Sequence, residues 1–370
     1  MIIGVPKEIK DNEYRVALVP SGVRALKDRG HRVLVQEGAG AGSAVPDREY
    51  EEAGAEIVAS PEEVFSSSDV IIKVKEPQPE EYAYLKEGLI LFTFLHLATK
   101  KRLAEVLIEK RVASIAYETV EVDGGGLPIL RPMSEVAGKL SVQIGAHFLL
   151  KPNGGRGVLL GGVPGVERGM ILILGAGTVG LNALKVAVGL GAEPCVIDVD
   201  TDRFRYLDDI FGGKVKTLAS NTYNIEKAAT ACDILVGAVH IPGARTPVLV
   251  PEELVRRMKK GSVIVDVAVD QGGCVETIRP TTHSQPVYEV AGVLHYGVSN
   301  IPGAVPRTST FALTNVTLPY LLKIADLGFE GATKAEPALA RGTNTFGGNL
   351  CHRAVAEALA MEYTPLEEIL

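Results

Sequence analysis

The chain has few cysteines, no stripe of basic residues and no long apolar run. Its four cysteines, spread over 370 residues, have neither paired metal-ligand spacing nor the density of a disulfide-bonded secreted scaffold, which favours reduced thiols in the cytoplasm. Because lysines and arginines are interspersed with acids and the net charge is -7, a nucleic-acid-binding surface is not expected. The longest apolar run, 89–98, is too short to cross a bilayer, so no membrane-spanning segment is predicted.

A targeting segment and a metal site are not predicted either. The first six residues lead directly into the charged sequence KEIKDNE, without the cleavable apolar run of a signal peptide. Five of the seven histidines have no ligand partner at metal spacing, so a structural or surface role is expected for His31, His147, His283, His295 and His352.

Strands and helices alternate along the chain, which is long enough, and at 46% hydrophobic residues apolar enough, for two buried cores. Hydrophobic periodicity and the positions of turn-forming residues predict strands at 2–5, 32–36, 55–58, 69–74, 88–94, 113–117, 215–219, 233–239, 262–269 and 293–297. Helices are predicted at 21–29, 47–53, 61–66, 79–86, 100–109, 134–150, 201–210, 225–232, 251–259 and 309–327. Alternation of this kind indicates mostly parallel sheets with helices on both faces.

The stretch 170–198, MILILGAGTVGLNALKVAVGLGAEPCVID, joins a strand, a glycine turn, a helix, a second strand and a terminal acid. In this pattern Gly175 permits a tight turn, Gly177 lets the backbone approach a pyrophosphate, and Gly180 allows the helix to pack closely on the sheet. The helix N-terminus adds partial positive charge. Asp198 is placed to accept hydrogen bonds from the adenosine ribose hydroxyls. The stretch therefore predicts a dinucleotide site.

The choice between NAD and NADP depends on the residues around Asp198. Its carboxylate, with those of Asp200 and Asp202, would repel a 2'-phosphate and favours NAD. Arg203 and Arg205 argue the other way, because an arginine just past this strand can accommodate that phosphate. We predict NAD.

The fingerprint falls midway along the chain, so the residues before it must form a separate domain. We predict two doubly wound α/β, Rossmann-like domains with mostly parallel sheets, separated by a cleft and joined by the long helices near 134–150 and 309–327. The substrate domain is discontinuous, 1–129 plus 306–370, and the NAD-binding domain is 130–305. After residue 306 no further strand series is expected.

Unusual polar residues follow the ends of several predicted strands in both domains. Lys75, His96, Asp270 and Asn300 each come at a strand exit, and Arg15 lies in the loop after the first strand. Since ligands bind beyond the carboxyl ends of parallel strands, these residues are predicted to face one cleft.

Each of these residues has an alternative interpretation. His96 could be a buried core histidine, Arg15 a surface charge, and Asp270 a turn-forming residue. Alternation places Lys73 on the same face as Lys75, which leaves a merely solvated lysine as the alternative for one of the pair. Lys75 is the better candidate because it is nearer the strand end.

Long motifs resemble those of the L-alanine dehydrogenases nearly from end to end. They include GVPKEIKDNEYRVALVP, KVKEP, LFTFLHLA, PMSEVAGKLSVQIGAHFL, VIVDVAVDQGGCVETIRPTTH and HYGVSNIPGAVPRTSTFALTN. The NAD-binding subunit of proton-translocating transhydrogenase is a related family that shares the two-domain plan. The resemblance implies that Arg15 and Lys75 bind substrate, that His96 and Asp270 are the acid and base, and that Leu130 and Met133 make the pocket small.

The resemblance also implies which residues contact NAD. Two of them depart from the family pattern, because Ile301 stands where Met is common and His240 where an aliphatic residue is common. Besides the glycines and Asp198, the implied contacts are Ser134, Thr178, Val179, Arg203, Ser220, Val239, His240, Val267, Asp270, Arg279, Val298, Asn300 and Ile301.

The activity implied is reversible, NAD-dependent oxidative deamination of L-alanine to pyruvate and ammonia, in a cytoplasmic homohexamer without metal. Two alternatives stay open at this point. One is the NAD-binding hydride-transfer module of a transhydrogenase, and the other is a related dehydrogenase acting on a different amino acid.

Overall fold

The computed structural model describes residues 1–239 and 246–370, and the chain forms two compact units. The first comprises Met1–Met133 and Val305–Leu370, and the second Ser134–Ala304. Each unit has a mostly parallel sheet flanked by helices, which confirms the predicted α/β fold class.

The strands are β1 (Ile2–Val5), β2 (Arg32–Gln36), β3 (Glu56–Val58), β4 (Val70–Ile72), β5 (Ile90–Thr93), β6 (Ala113–Ala116), β7 (Met170–Leu174), β8 (Glu193–Asp198), β9 (Lys216–Ala219), β10 (Ile234–Gly237), β11 (Val263–Asp266), β12 (Val287–Val290), β13 (Val293–Tyr296), β14 (Thr343–Phe346) and β15 (Asn349–Leu350). The α-helices are α1 (Pro20–Lys27), α2 (Asp47–Ala53), α3 (Pro61–Ser67), α4 (Lys101–Glu109), α5 (Leu130–Leu149), α6 (Thr178–Gly189), α7 (Thr201–Phe211), α8 (Thr222–Ala231), α9 (Glu252–Arg257), α10 (Pro306–Ala335), α11 (Pro337–Gly342) and α12 (Arg353–Leu359).

The sheet of the first unit has the order β3-β2-β1-β4-β5-β6-β14-β15. Its first six strands are parallel, and β14 pairs antiparallel with β6. Chain order reverses between β1 and β4, and in such sheets ligands bind outside the carboxyl ends of the strands at that point. The apolar residues of these strands are almost fully buried, as for Ile3, Val33 and Ile72.

Two sequence-based expectations for this unit were wrong. Residues 307–370 do contain two strands, β14 and β15. The polar side chains of Thr343, Asn344 and Thr345 can be buried in β14 because they find hydrogen-bond partners there; Thr345 Oγ1, for example, donates to Val112 O at 2.8 Å. The segment predicted as a helix at 79–86 is a 3₁₀ turn, Pro79–Tyr84, whose Glu81 side chain turns inward to Lys73. The helix predicted at 309–327 is confirmed as the first part of α10, which is interrupted at Gly328, where φ is 71°, and then resumes to Ala335.

The sheet of the second unit has the order β9-β8-β7-β10-β11-β13-β12, parallel except for the unpredicted edge strand β12. Chain order reverses between β7 and β10, so this sheet repeats the arrangement of the first. All four cysteines of the chain are buried and unpaired. Within the described residues, no helix is long and apolar enough to cross a membrane.

Candidate active site

Arg15 lies in the long loop after β1, beside the point where the first sheet reverses its order. The side chain is only 2% exposed, so its interpretation as a surface charge was wrong. Glu13 accepts from Nε at 2.6 Å and from Nη2 at 2.5 Å, which fixes the plane of the guanidinium. Met133 Sδ lies 3.3 Å from Nη1. Arg15 is therefore a buried and oriented cation.

Lys75 follows β4, three residues beyond its last strand residue. It is buried, and within the described residues no acidic side chain forms an ion pair with it. Burial, followed by repulsion from Arg15 and Lys10, lowers the pKa of Lys75 to about 8. The ammonium group is thus charged at neutral pH but readily deprotonated at mildly alkaline pH.

Lys73 has a different environment from Lys75, although only two residues separate them. Its side chain is fully buried, so a solvated role is wrong for it. Nζ lies 2.8 Å from Glu81 Oε1 and 3.3 Å from Glu8 Oε2. Those carboxylates raise the pKa of Lys73 against the opposing effect of burial, so this lysine is a buried structural cation.

His96 leaves the sheet just after β5, and its ring stacks on Phe94 with centroids 5.8 Å apart. The residue is exposed, so it is not a core histidine. Desolvation of the imidazole by the surrounding protein, followed by repulsion from the Lys75 ammonium, lowers the pKa of His96. A neutral imidazole at physiological pH can accept a proton.

The charges of these three side chains influence one another within the first unit. Arg15 acts electrostatically on Lys75, and Lys75 acts on His96. All three follow strands that are neighbours in the parallel sheet, so they lie at its carboxyl edge. The arrangement brings two cationic side chains and one imidazole to the same edge of the sheet.

Sequence reasoning missed the carboxylates that hold this edge in place. Glu13 accepts hydrogen bonds from the Arg15 guanidinium. Glu8 accepts from Val74 N and Lys75 N at 2.6 and 3.2 Å. Glu118 accepts from His96 N at 2.6 Å. Glu118, like the predicted residues, follows a strand exit, which was a signal in the sequence. The pairing of Glu8 with Val74, 66 residues away, had none.

In the second unit, the glycine turn between β7 and α6 is too tight for a side chain at Gly175 and Gly180 but open at Gly177. Gly175 has a φ of 101°, and a Cβ there would lie 2.6 Å from Ala238 O. A Cβ on Gly180 would lie 1.9 Å from Gly175 O, whereas one on Gly177 would meet nothing within 4 Å. Open space at Gly177, next to the first residue of α6, Thr178, suits the approach of a phosphate to a helix N-terminus.

Asp198 ends β8 with its carboxylate held by backbone groups. Oδ2 accepts from Ala176 N at 2.5 Å and Oδ1 from Asp200 N at 2.9 Å. Arg203 reaches the same turn, with Nη1 donating to Ala176 O at 3.4 Å. A fixed acid at the end of the second strand, beside an open glycine turn, fits the adenosine half of NAD.

Asp270 is exposed in a 3₁₀ turn, Val269–Gln271, after β11. The loop that carries it is tied by Asp266, which is fully buried and accepts from Ala268 N, Cys274 N and Val275 N at 3.0, 2.8 and 3.3 Å. Asn300 follows β13, and its carbonyl oxygen accepts from His283 Nε2 at 2.9 Å.

The other predicted NAD contacts lie in several elements of the second unit. His240 lies outside the described residues. Ser134 and Val179 are in α5 and α6, Ser220 follows β9, Val239 follows β10, Val267 follows β11, Arg279 stacks over the Tyr288 ring at 4.4 Å, and Val298 and Ile301 are buried after β13. In residues 1–239 and 246–370, no group of three or more His, Cys, Asp or Glu side chains could hold a metal ion.

Comparison with known proteins confirms the resemblance drawn from the motifs. The family description "Alanine dehydrogenase/PNT, N-terminal domain" matches residues 4–137, and "Alanine dehydrogenase/PNT, C-terminal domain" matches residues 141–353. Alanine dehydrogenase of Methanococcus maripaludis is 57% identical over all of both chains, and that of Bacillus subtilis is 58% identical over all of this chain and 98% of its own.

Solved structures give the same answer. A structure titled L-alanine dehydrogenase superposes with a TM-score of 0.95 at 52% identity, covering 97% of this chain and 99% of the other. A transhydrogenase from Sinorhizobium meliloti superposes with a TM-score of 0.81 at 26% identity, covering 96% of this chain and all of the other. The chain belongs to the alanine dehydrogenase/PNT family.

Proposed function

We propose that the chain catalyses the reversible, NAD-dependent oxidative deamination of L-alanine to pyruvate and ammonia. The observation that carries this proposal is the placement of Arg15, Lys75 and His96 together at the carboxyl edge of one sheet. Full-length likeness to alanine dehydrogenases, at 57% and 58% identity, supports it over a transhydrogenase module, for which the likeness is 26%.

Arg15 and Lys75 bind the substrate. The guanidinium, oriented by Glu13, takes the carboxylate, for which a planar two-pronged donor is suited. The Lys75 ammonium takes the oxygen of pyruvate or stabilises the corresponding region of the amino acid. Met133, in contact with Arg15, and Leu130 limit the room for the side chain, which favours alanine.

Bound NAD would supply the hydride acceptor for oxidation of the α-carbon of L-alanine, whose ammonium group must first lose a proton so that the carbon–nitrogen double bond can form. The resulting iminium carbon is attacked by water, and the carbon–nitrogen bond then breaks to release ammonia and pyruvate. His96 and Asp270 are the acid and base candidates: one takes the proton of the attacking water and returns a proton to the departing nitrogen.

The glycine turn and Asp198 would hold NAD in the second unit. The backbone at Gly177 and the N-terminus of α6 suit the pyrophosphate, and Asp198 suits the ribose hydroxyls. Turnover with NAD should exceed turnover with NADP, because the carboxylate repels a 2'-phosphate. Equal efficiency with both cofactors would show that Asp198 does not select between them.

The decisive experiment follows NADH absorbance after purified protein is mixed with L-alanine and NAD at alkaline pH. We expect NADH to form, and to be consumed when pyruvate and ammonia are supplied. Absence of any signal would favour a transhydrogenase module. A faster reaction with a bulkier or diacid amino acid would identify a different amino-acid dehydrogenase, with pocket residues other than Leu130 and Met133 setting the size.

We further propose a cytoplasmic homohexamer, as the family resemblance implies. Leu159, Val163 and Val166, close together in the second unit, are 64%, 55% and 63% exposed, which is unusual for large apolar side chains and supports self-association. The mass of the native protein in light scattering tests the oligomeric state, and a monomer would contradict it.

A further inference from the structure

The backbone of His96 has an unusual conformation. Its φ and ψ are 50° and 36°, in the left-handed region that side chains with a Cβ seldom occupy. Such conformations persist only where the surrounding structure determines them, and they concentrate at functional sites. His96 is the only one of the site candidates Arg15, Lys75 and His96 with a positive φ.

The Glu118 carboxylate accepts hydrogen bonds from the backbone N–H groups of Leu95 and His96. Oε1 accepts from His96 N at 2.6 Å and from Leu95 N at 3.2 Å, and Oε2 also lies 3.2 Å from Leu95 N. The contact arises from strand pairing, because Thr93 of β5 is in register with Ala116 of β6. Both residues therefore leave neighbouring strands at the same edge.

We propose that Glu118 is a positioning residue for His96. This inference rests on the proposed function, in which His96 moves a proton at the substrate. The carboxylate satisfies both N–H groups only when the chain turns at His96 into the left-handed region, and that turn directs the imidazole from the sheet edge. Without the acceptor, the turn loses the bonds that select this conformation.

Other contacts at the turn cannot replace this one. Thr99 N and Thr99 Oγ1 both donate to His96 O at 3.2 Å, which fixes the carbonyl side of the residue. Phe94 stacks on the ring but does not contact the N–H groups. Among the described residues the acceptor for His96 N is Glu118 Oε1, so its removal leaves that donor to water.

The test compares Glu118→Ala and Glu118→Gln with Asp69→Asn. Asp69 is a matched control because its carboxylate also accepts a backbone N–H, from Ile2 at 2.8 Å, but at the amino end of the same sheet. We expect Glu118→Ala to lower kcat for L-alanine by about tenfold to a hundredfold, the effect of a misplaced reacting group. KM should change little, since Arg15 and Lys75 remain.

Glu118→Gln retains one acceptor oxygen of the same shape, so it should recover part of the lost kcat. Asp69→Asn should keep the wild-type kcat. If Glu118→Gln loses as much as Glu118→Ala, the carboxylate charge and not the acceptor geometry matters, and the proposal is wrong. It is also wrong if Glu118→Ala retains the wild-type kcat.

A second readout does not depend on catalysis. Carbethoxylation of His96 by diethyl pyrocarbonate, followed by peptide mass spectrometry across a pH range, reports the exposure and pKa of the imidazole. The charged groups with the largest effect on it are Lys75, Glu76, Lys10 and Lys100, which these variants leave in place, and Glu118→Gln controls for the loss of the Glu118 charge itself. Glu118→Ala should alter the profile of His96 and leave that of His147 unchanged.

The two readouts separate this inference from the proposed function. If the wild-type protein fails to oxidise L-alanine, the proposed function fails, yet the modification profile still decides whether Glu118 positions His96. An unchanged profile in Glu118→Ala would overturn the positioning role even in an active dehydrogenase.

Discussion

The two sheets share a strand order, but their carboxyl edges present different groups to a ligand. At the edge of the first unit, charged side chains are presented by loops whose backbone N–H groups are held by buried or half-buried carboxylates, as Glu8 holds Lys75 and Glu118 holds His96. At the edge of the second, backbone groups of a glycine turn are presented, and the backbone holds a carboxylate, that of Asp198.

The difference teaches how one topology can serve two tasks. Strand order determines where a ligand binds, whereas loop sequence determines which groups meet it. Small, reactive substrates need cations and a base, which require side chains locked in place. A pyrophosphate needs N–H groups and room, which require that side chains be absent.

Replacement of His96 should have the largest effect on the first edge. His96→Ala removes the neutral base, so kcat/KM for L-alanine should fall by roughly two to four decades. NADH absorbance measures the change, and His147→Gln, an exposed histidine of α5, serves as the control. Ordinary activity in His96→Ala would remove this residue from the mechanism.

Substitutions of Lys73 and Lys75 test whether each lysine serves the stability of the fold or the binding of substrate. Lys73→Met leaves Glu8 and Glu81 without their shared cation, so the free energy of unfolding should fall by about 3 to 5 kcal/mol. Lys75→Met removes a cation that has no ion-pair partner within the described residues, so it should weaken substrate binding and leave stability unchanged. Urea unfolding and KM for pyruvate measure the two effects.

Acid should reduce the stability loss of Lys73→Met. Without the ammonium, burial holds the pKa of Glu8 above its unfolded value, so the folded state binds more protons and is favoured as pH falls. The stability difference from the wild type should therefore shrink below neutral pH and grow above it. A constant difference across that range would mean that the packing of Lys73, not its charge, is what matters.

At the second edge, Gly180→Ala should act through the backbone. The new Cβ would lie 1.9 Å from Gly175 O, so the turn must shift, which should lower stability by about 1 to 3 kcal/mol and weaken NAD binding. Gly177→Ala meets nothing and should weaken NAD binding at normal stability, while Gly189→Ala, also unobstructed, should change neither. Thermal unfolding and NADH titration distinguish them; equal stability of Gly180→Ala and Gly189→Ala would contradict the close approach.

Sequence reasoning could predict the fold and the edge residues because both depend on local pattern. Alternating apolar runs and glycine spacing identify strands and turns, and the exits of parallel strands meet at one edge. It could not predict β14, because its Thr and Asn residues are typical of a loop, and the Thr345 hydroxyl is buried only because Ser114 and Val112 supply partners for it.

The roles of the two lysines were also out of reach. Period-2 alternation puts Lys73 and Lys75 on one face only while the strand continues, and β4 ends at Ile72. Beyond Ile72, the environment of each lysine depends on whether it has ion-pair partners. Those of Lys73 come from a loop 65 positions earlier and a turn eight positions later, and no spacing rule connects them.

The smallest predicted effect concerns the charge next to Lys75. Lys10 pairs with Glu76 at 2.7 Å and its charge helps to lower the pKa of Lys75. Lys10→Gln removes that repulsion and releases the Glu76 carboxylate, so the pKa of Lys75 should rise from about 8. Because the protonated amine binds substrate, binding is lost as pH rises through this pKa.

The alkaline limb of kcat/KM for pyruvate should therefore move to higher pH in Lys10→Gln by a fraction of a unit, and stay in place in the exposed control Lys7→Gln. A limb that moves to lower pH would mean that Lys75 acts as the neutral amine. In that case the first edge would offer the substrate one cation, Arg15, and two bases, and the contrast between the two edges would lie in proton transfer more than in charge.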